Sequence, residues 1–209
     1  MDARVEQVLA EYDARAERES ALFAAGWDRD ARRDQLLLRV GPETGRLTNI
    51  LIAGAGSKTI LELGTSYGYS TIWLAEAASR TGGKVISLDL AAGKQAYARS
   101  MLARAGLAAW VELITGDALE ILGSLEGPFD FVLIDLWKDL YVPCLELIAP
   151  RLSPGAVLVA DNMLRPEAAR ADADAYRARV RSNPRMESVL LEVGSGIEVS
   201  RYAPGQSGL

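Results

Sequence analysis

From residue 59 to residue 182 the sequence alternates short apolar runs with helical patterns. The runs are TILEL (59–63), KVISLD (84–89), WVELIT (110–115), FDFVLID (129–135) and AVLVAD (156–161). They are apolar on both faces, as strands are when a sheet is covered on two sides. Helical spacing follows each run, near 70–80, 93–105, 117–123, 139–151 and 166–182. Parallel strands need such crossovers, so the alternation predicts an α/β fold with helices on both sheet faces. ESVLLEVGSGIEVSRY (187–202) adds two β-like runs around Gly194-Ser195-Gly196. That is a hairpin closing one sheet edge. The expected sheet is mostly parallel and seven-stranded, with an antiparallel C-terminal hairpin.

The first forty residues have a different texture. Val5, Val8, Leu9, Tyr12, Ala16, Leu22 and Phe23 fall largely at helical spacing, which predicts a helix over 4–24. A second helix is expected over Asp30–Arg39, a break at VGPETG (40–45), and a further helix over Leu47–Ala53. The expected organisation is one domain, with residues 1–45 as a helical cap or dimerisation segment and 46–203 as the core. The tail APGQSGL (203–209) is expected to fray.

Composition removes several functions. A net charge of −5 and a pI near 5.0 argue against broad electrostatic binding to DNA or acidic membranes. The single cysteine, Cys144, allows no internal disulfide. The chain has no histidine, which excludes Ser-His-Asp and Cys-His nucleophile systems and any histidine-bound zinc. An enzymatic base must then be a carboxylate, lysine, tyrosine or water. The opening MDARVEQVLAEYDARAERES is charged throughout and lacks a signal-peptide apolar run, so a cytoplasmic location is expected.

ILELGTSYGYSTIWLA (60–75) runs from strand through loop into helix, the turn that faces the ligand crevice in open α/β sheets. Gly64 and Gly68 would let backbone approach a ligand, and Ser70 or Thr71 could cap the helix. The spacing is G-x-x-x-G rather than the dinucleotide G-x-G-x-x-G. Glu62 precedes the loop, and the loop carries no Lys or Arg. This suits an amine or sulfonium better than a pyrophosphate. Asp89, twenty-five residues after Gly64, is placed for the two hydroxyls of a ribose, although a plain helix cap is the simpler role. Asp117, after the third strand, could meet an adenine amino group. Together these strand ends describe a nucleoside pocket.

Asp135 ends the fourth strand, and Asp161 ends the fifth with Asn162 beside it. Consecutive strands are usually neighbours about 4.8 Å apart, so two carboxylates and an amide should converge. Oxygen donors of this kind suit Mg²⁺ or Ca²⁺. A structural polar network is the alternative. Lys138 is either a salt-bridge partner or a general base whose pKa a nearby cation lowers. Trp137 either packs or forms an apolar wall for a flat substrate.

VGPETG, ILELGTSYGYST, the strand end at Asp89, GDALE (116–120), FDFVLIDLWKDLY (129–141) and PGAVLVADNML (154–164) occur in one order. With them, Val40 to Tyr202 resembles the metal-dependent O-methyltransferases, the family of catechol and caffeoyl-CoA O-methyltransferases and their bacterial relatives. The resemblance implies a Rossmann-like class I fold that binds S-adenosylmethionine (SAM). It implies that Val40, Glu62, Gly64, Thr65, Ser66 and Ser70 line the methionine end, Asp89 the ribose, and Asp117 and Ala118 the adenine. Asp135 also borders the cofactor and is implied, with Lys138, to be catalytic. Asp135, Asp161 and Asn162 become metal ligands, Lys138 the catalytic base and Trp137 the substrate wall. The implied substrate is a small hydroxylated molecule, a vicinal diol such as a catechol. The resemblance leaves room for a homodimer and implies neither nucleic acid nor membrane as partner. The sequence departs from the family at Ala156, which replaces a glycine. It departs again at Leu191, with Glu192 beside it, where catechol enzymes carry an acid for the second hydroxyl. Three other readings compete: a nicotinamide oxidoreductase, a nucleic-acid methyltransferase, and a non-catalytic or metal-independent SAM-binding protein.

Overall fold

A computed structural model describes residues 1–28 and 35–203. The alternation gives β1 (Thr59–Leu63), β2 (Lys84–Asp89), β3 (Val111–Thr115), β4 (Phe129–Ile134) and β5 (Leu152–Ala160). They pair in parallel in the order β3-β2-β1-β4-β5. β6 (Met186–Leu191) and β7 (Ile197–Tyr202) form the hairpin, and β7 joins β5 antiparallel, giving seven strands in one sheet. The fold is α/β with a mostly parallel sheet, as the sequence alternation predicts, and Rossmann-like, as the resemblance implies.

Both faces of the sheet are covered. On one side Ile60, Val85, Phe131, Leu133 and Val159 pack with α1 (Ala3–Ala24), α2 (Pro42–Ala55), α3 (Tyr69–Thr81) and α4 (Ala92–Arg104). On the other, Leu61, Leu63, Leu88, Val132, Ile134 and Leu158 pack with α5 (Ala118–Ser124), α6 (Tyr141–Ile148) and α7 (Arg170–Arg181). Neighbours such as Ile60 and Leu61 thus serve opposite cores, because strand side chains alternate. Among the described residues no helix is long and apolar enough to cross a membrane.

Three expectations about local structure change. The segment 40–45 is not a break throughout: α2 begins at Pro42 and runs through Gly45. Proline suits a first helical turn. A Cβ on Gly45 would lie 2.5 Å from the Trp73 ring, so the glycine lets α2 sit tightly on α3. The boundary drawn between residues 45 and 46 therefore lies inside a helix. Neither Ser70 nor Thr71 caps α3; the cap position is Gly68, at φ +92°. Residues 30–34 of the helix expected over 30–39 lie outside the described residues, and 37–40 are not helical.

α1 belongs to the main core. Val5, Val8, Leu9 and Tyr12 are buried in it. The Tyr12 hydroxyl donates to the Tyr67 carbonyl at 2.5 Å, and the Arg15 guanidinium lies 4.0 Å from the Tyr67 ring centre. Arg15 also donates to the Gln35 carbonyl, and Glu19 accepts from Leu37 N. The helix thereby braces both the glycine loop and the segment entering α2.

Candidate active site

The glycine loop lies over a buried polar cluster. Glu62, on β1, is fully buried between Ser87 of β2 and Leu133 of β4. Its Oε2 accepts from Thr71 Oγ1 at 2.6 Å and from Ser87 Oγ at 2.5 Å. Thr65 Oγ1 lies 2.6 Å from Ser87 Oγ, and Gln95 Nε2 donates to Thr65 and to the Ile114 carbonyl. One network therefore ties β1, β2, β3, α3 and α4 beneath the loop. Glu62 Oε1 is buried without a partner.

Burial pushes the Glu62 carboxyl up to about 7, against the hydroxyl bonds that favour its charged form. A carboxyl raised in this way from 4.5 contributes stability below about pH 4.5 and loses it as pH rises toward 7. Glu62→Gln has no such titration. The melting-temperature advantage of the parent over this variant should shrink from pH 5 to pH 8. Scanning calorimetry of both proteins across that range reads it directly. Parallel pH curves would contradict the account.

The two loop glycines have partners within the chain. A Cβ on Gly64, at φ +104°, would lie 2.2 Å from the Asp135 carbonyl oxygen. One on Gly68 would lie 2.7 Å from Ala98 Cβ. The glycines thus press the loop onto β4 and α4, a reason separate from ligand approach. Ser66 has φ +46° and donates its N–H to Asp89 Oδ2 at 2.6 Å. Asp89 Oδ1 accepts from Ala91 N at 2.7 Å. Each carboxylate oxygen can accept twice, so Asp89 keeps capacity for a diol. Val40 is buried just before α2. Asp117 caps α5 by accepting from Leu119 N and Glu120 N, with Ala118 opening that helix. In the segment before α2, Leu38 has φ +42°.

The acidic pair lies at the next strand ends. Ile134 and Ala160 are register partners, so Asp135 and Asp161 leave β4 and β5 side by side. Asp161 Oδ1 is buried without a partner. Asn162 has φ +56°, an unusual conformation that asparagine tolerates better than most residues. With Leu38 and Ser66 it completes the non-glycine residues of positive φ among those described, a kind of strain that collects at functional sites. Burial, then the charge of Asp161, holds the Asp135 carboxyl well above the usual carboxylate range. Burial pushes Asp161 up to about 6, against hydrogen bonding from the Asn162 backbone and the charge of Lys138.

Lys138 Nζ is the cation of this cluster. It donates to Asn162 Oδ1 at 3.0 Å, Leu136 O at 3.2 Å and Tyr141 Oη at 2.5 Å, and lies 3.8 Å from Asp135 Oδ1. Lys138, Asp135, Asp161 and Asn162 thus come together as the sequence spacing predicts. Trp137 stands beside them, half exposed. Leu191 packs against the core, whereas Glu192 is exposed.

The donor set suits a hard cation: two adjacent carboxylates, one of them with a buried oxygen that has no partner, and an amide oxygen. Asp135, Asp161 and Asn162 are the residues that would hold it. Among the described residues no group of three or more His, Cys, Asp or Glu is placed to bind a metal, so Asn162 is essential to this reading. Sequence reasoning did not single out Ser87, Gln95 or Tyr141. Ser87 and Gln95 have partners distant in sequence and no local motif, and the place of Tyr141 between Lys138 and the Asp161 backbone appears only in the fold.

Comparison with known proteins agrees with this architecture. A family described as a methyltransferase domain matches residues 61–163. A catechol O-methyltransferase of Niastella koreensis is 38% identical over 132 residues, 61% of this chain and 59% of that protein. The chain thus spans about three fifths of that relative's length. A protein of Mycobacterium tuberculosis named as a probable O-methyltransferase is 33% identical over 188 residues, covering 85% of this chain and 78% of the relative. Among solved structures, an O-methyltransferase from Bacillus cereus in complex with SAH superposes with a TM-score of 0.77. It is 28% identical, covering 97% of this chain and 91% of that one. The fold and the strand-end residues define a Rossmann-like methyltransferase domain. The chain belongs to the class I O-methyltransferase family.

Proposed function

We propose that the protein is a SAM-dependent O-methyltransferase that methylates a hydroxyl of a small, aromatic vicinal diol with the help of a divalent cation. The observation that carries this is the buried acid pair at the ends of β4 and β5, with Asp161 Oδ1 unpartnered and a lysine amine alongside. SAM supplies the methyl group, and Mg²⁺ or Ca²⁺ at the acid pair supplies Lewis acidity toward a substrate hydroxyl. Asp89 receives the ribose hydroxyls. Ser66, Ser70 and Val40 border the methionine end, and Glu62 supports that border from beneath. Asp117 and Ala118 stand on the adenine side. Lys138 adjoins the acid pair, and a bound cation lowers its pKa, so its amine, once neutral, takes the hydroxyl proton. Trp137 offers its exposed ring as a wall for a planar substrate.

Turnover of SAM with catechol and with phenol, each with Mg²⁺ and with chelator, tests the substrate class. Catechol with Mg²⁺ should be methylated at least about tenfold faster than phenol, because only the diol offers the site two adjacent oxygens. Equal rates that survive chelation would contradict the metal and diol reading.

One observation favours a second reading, a metal-independent SAM-binding protein. Lys138 already bonds to Asn162 and lies near Asp135, so the acids have an internal counter-ion.

A further inference from the structure

Tyr141 opens α6 with its side chain fully buried. Its ring packs edge-on to Tyr176 with centroids 5.5 Å apart, so the core sets its position. Its hydroxyl faces the candidate site: it accepts from Lys138 Nζ at 2.5 Å and donates to the backbone oxygen of Asp161 at 3.2 Å. The ammonium also lies 4.2 Å from the centre of the Tyr141 ring. A tyrosine hydroxyl has one proton, and this geometry spends it on Asp161 and leaves a lone pair for the lysine.

The same ammonium bonds to Asn162 Oδ1 at 3.0 Å. That oxygen is the one a divalent cation would need. An ammonium and a divalent cation sharing it would set like charges a few ångströms apart, which is unfavourable in a buried site. For a cation to take Asn162, Nζ must leave that oxygen yet stay close enough to meet a substrate hydroxyl. The Leu136 carbonyl and the Tyr141 hydroxyl, with the ring face beside it, are acceptors that do not belong to the cation site.

We propose that Tyr141 is a positioning residue that seats the Lys138 ammonium beside the cation site and so leaves Asn162 for the metal. The inference rests on the metal reading above and adds to it a residue that touches neither metal nor substrate. If Tyr141 only packs the core or steadies Asp161, its effect will not depend on Lys138. If it acts by holding the lysine, the effect vanishes when the lysine is gone.

Calorimetric titration of Mg²⁺ alone into chelator-treated protein separates these cases, using the parent, Tyr141→Phe, Lys138→Met and the double variant. Phenylalanine keeps the ring and its contact with Tyr176, and a thermal melt of each variant checks folding. Lys138→Met should bind Mg²⁺ more tightly than the parent. Tyr141→Phe should weaken Mg²⁺ binding by about three- to tenfold, the range expected for one lost hydrogen bond. In the Lys138→Met background the same change should move affinity by less than about twofold. An equal effect in both backgrounds, or none in either, overturns the proposal and leaves the metal reading standing. No Mg²⁺ binding in any of the four proteins removes both.

Discussion

Asp161→Ala is expected to lower metal-dependent methyl transfer by about a thousandfold while sparing most SAM affinity. Asp161 supplies the buried oxygen without a protein partner, and it stands beside Asp135 at the sheet edge. Losing a metal ligand forfeits the Lewis acidity at the substrate hydroxyl, and several kcal/mol of transition-state stabilisation corresponds to three or more powers of ten. The cofactor loop should hold, because its network runs through Glu62, Ser87, Thr65 and Gln95 and not through Asp161. A second signature separates this residue from a structural acid. Its carboxyl, ordinarily near 3.8, is raised to about 6, so its contribution to metal-free stability is present below about pH 3.8 and lost as pH rises through 6. At pH 8 the ionised, buried Asp161 opposes folding. The metal-free Asp161→Ala protein should therefore melt no lower than the parent at pH 8. Full turnover in the variant would remove Asp161 from the metal site. A large loss of metal-free stability at pH 8 would recast it as structural.

Lys138→Met should lower kcat by about a hundred- to ten-thousandfold, the usual range for general acid–base catalysis. The KM for SAM should change little, because the lysine's hydrogen bonds to Leu136, Tyr141 and Asn162 and its ion pair with Asp135 tie it to the acid pair's side of the crevice. The same variant should gain Mg²⁺ affinity, since it removes a positive charge from beside the acids. Tighter metal binding with slower turnover is a combination that a simple ion-pair partner would not give. Initial rates at saturating SAM and Mg²⁺ measure the first effect. Unchanged kcat at every pH would leave Lys138 as a counter-ion only.

How far the sequence discloses these positions depends on the range of the interaction. β1 to β5 were legible because two-sided burial writes continuous apolar runs into the chain. The convergence of Asp135 and Asp161 was legible because each follows its strand, and adjacent parallel strands end together. The start of α2 was not legible. Pro42 and Gly45 read locally as a break, but close packing on Trp73 makes Gly45 fit a helix there. Ser70 and Thr71 looked like caps by position, yet Gly68 takes the cap position and the Thr71 hydroxyl turns to Glu62, on the strand below. Glu62 reads in sequence as an acid at the ligand; in the fold its Oε2 is committed to the buried network while Oε1 has no partner. Gln95 sits in a helix with no motif around it, and its partners are ones that only the folded sheet brings near. Tyr141 ends the FDFVLIDLWKDLY run, but its burial and its bond to the Asp161 backbone appear only in the fold.

The central claim is that one crevice holds both SAM and a divalent cation, the cation through Asp161. Calorimetric titration of SAM and then Mg²⁺ into chelator-treated protein, repeated with Asp161→Ala, tests it most directly. The account predicts that the parent binds both and that the variant binds SAM but not Mg²⁺. Mg²⁺ binding of equal strength in the variant, or a parent that binds SAM and no metal, would contradict it.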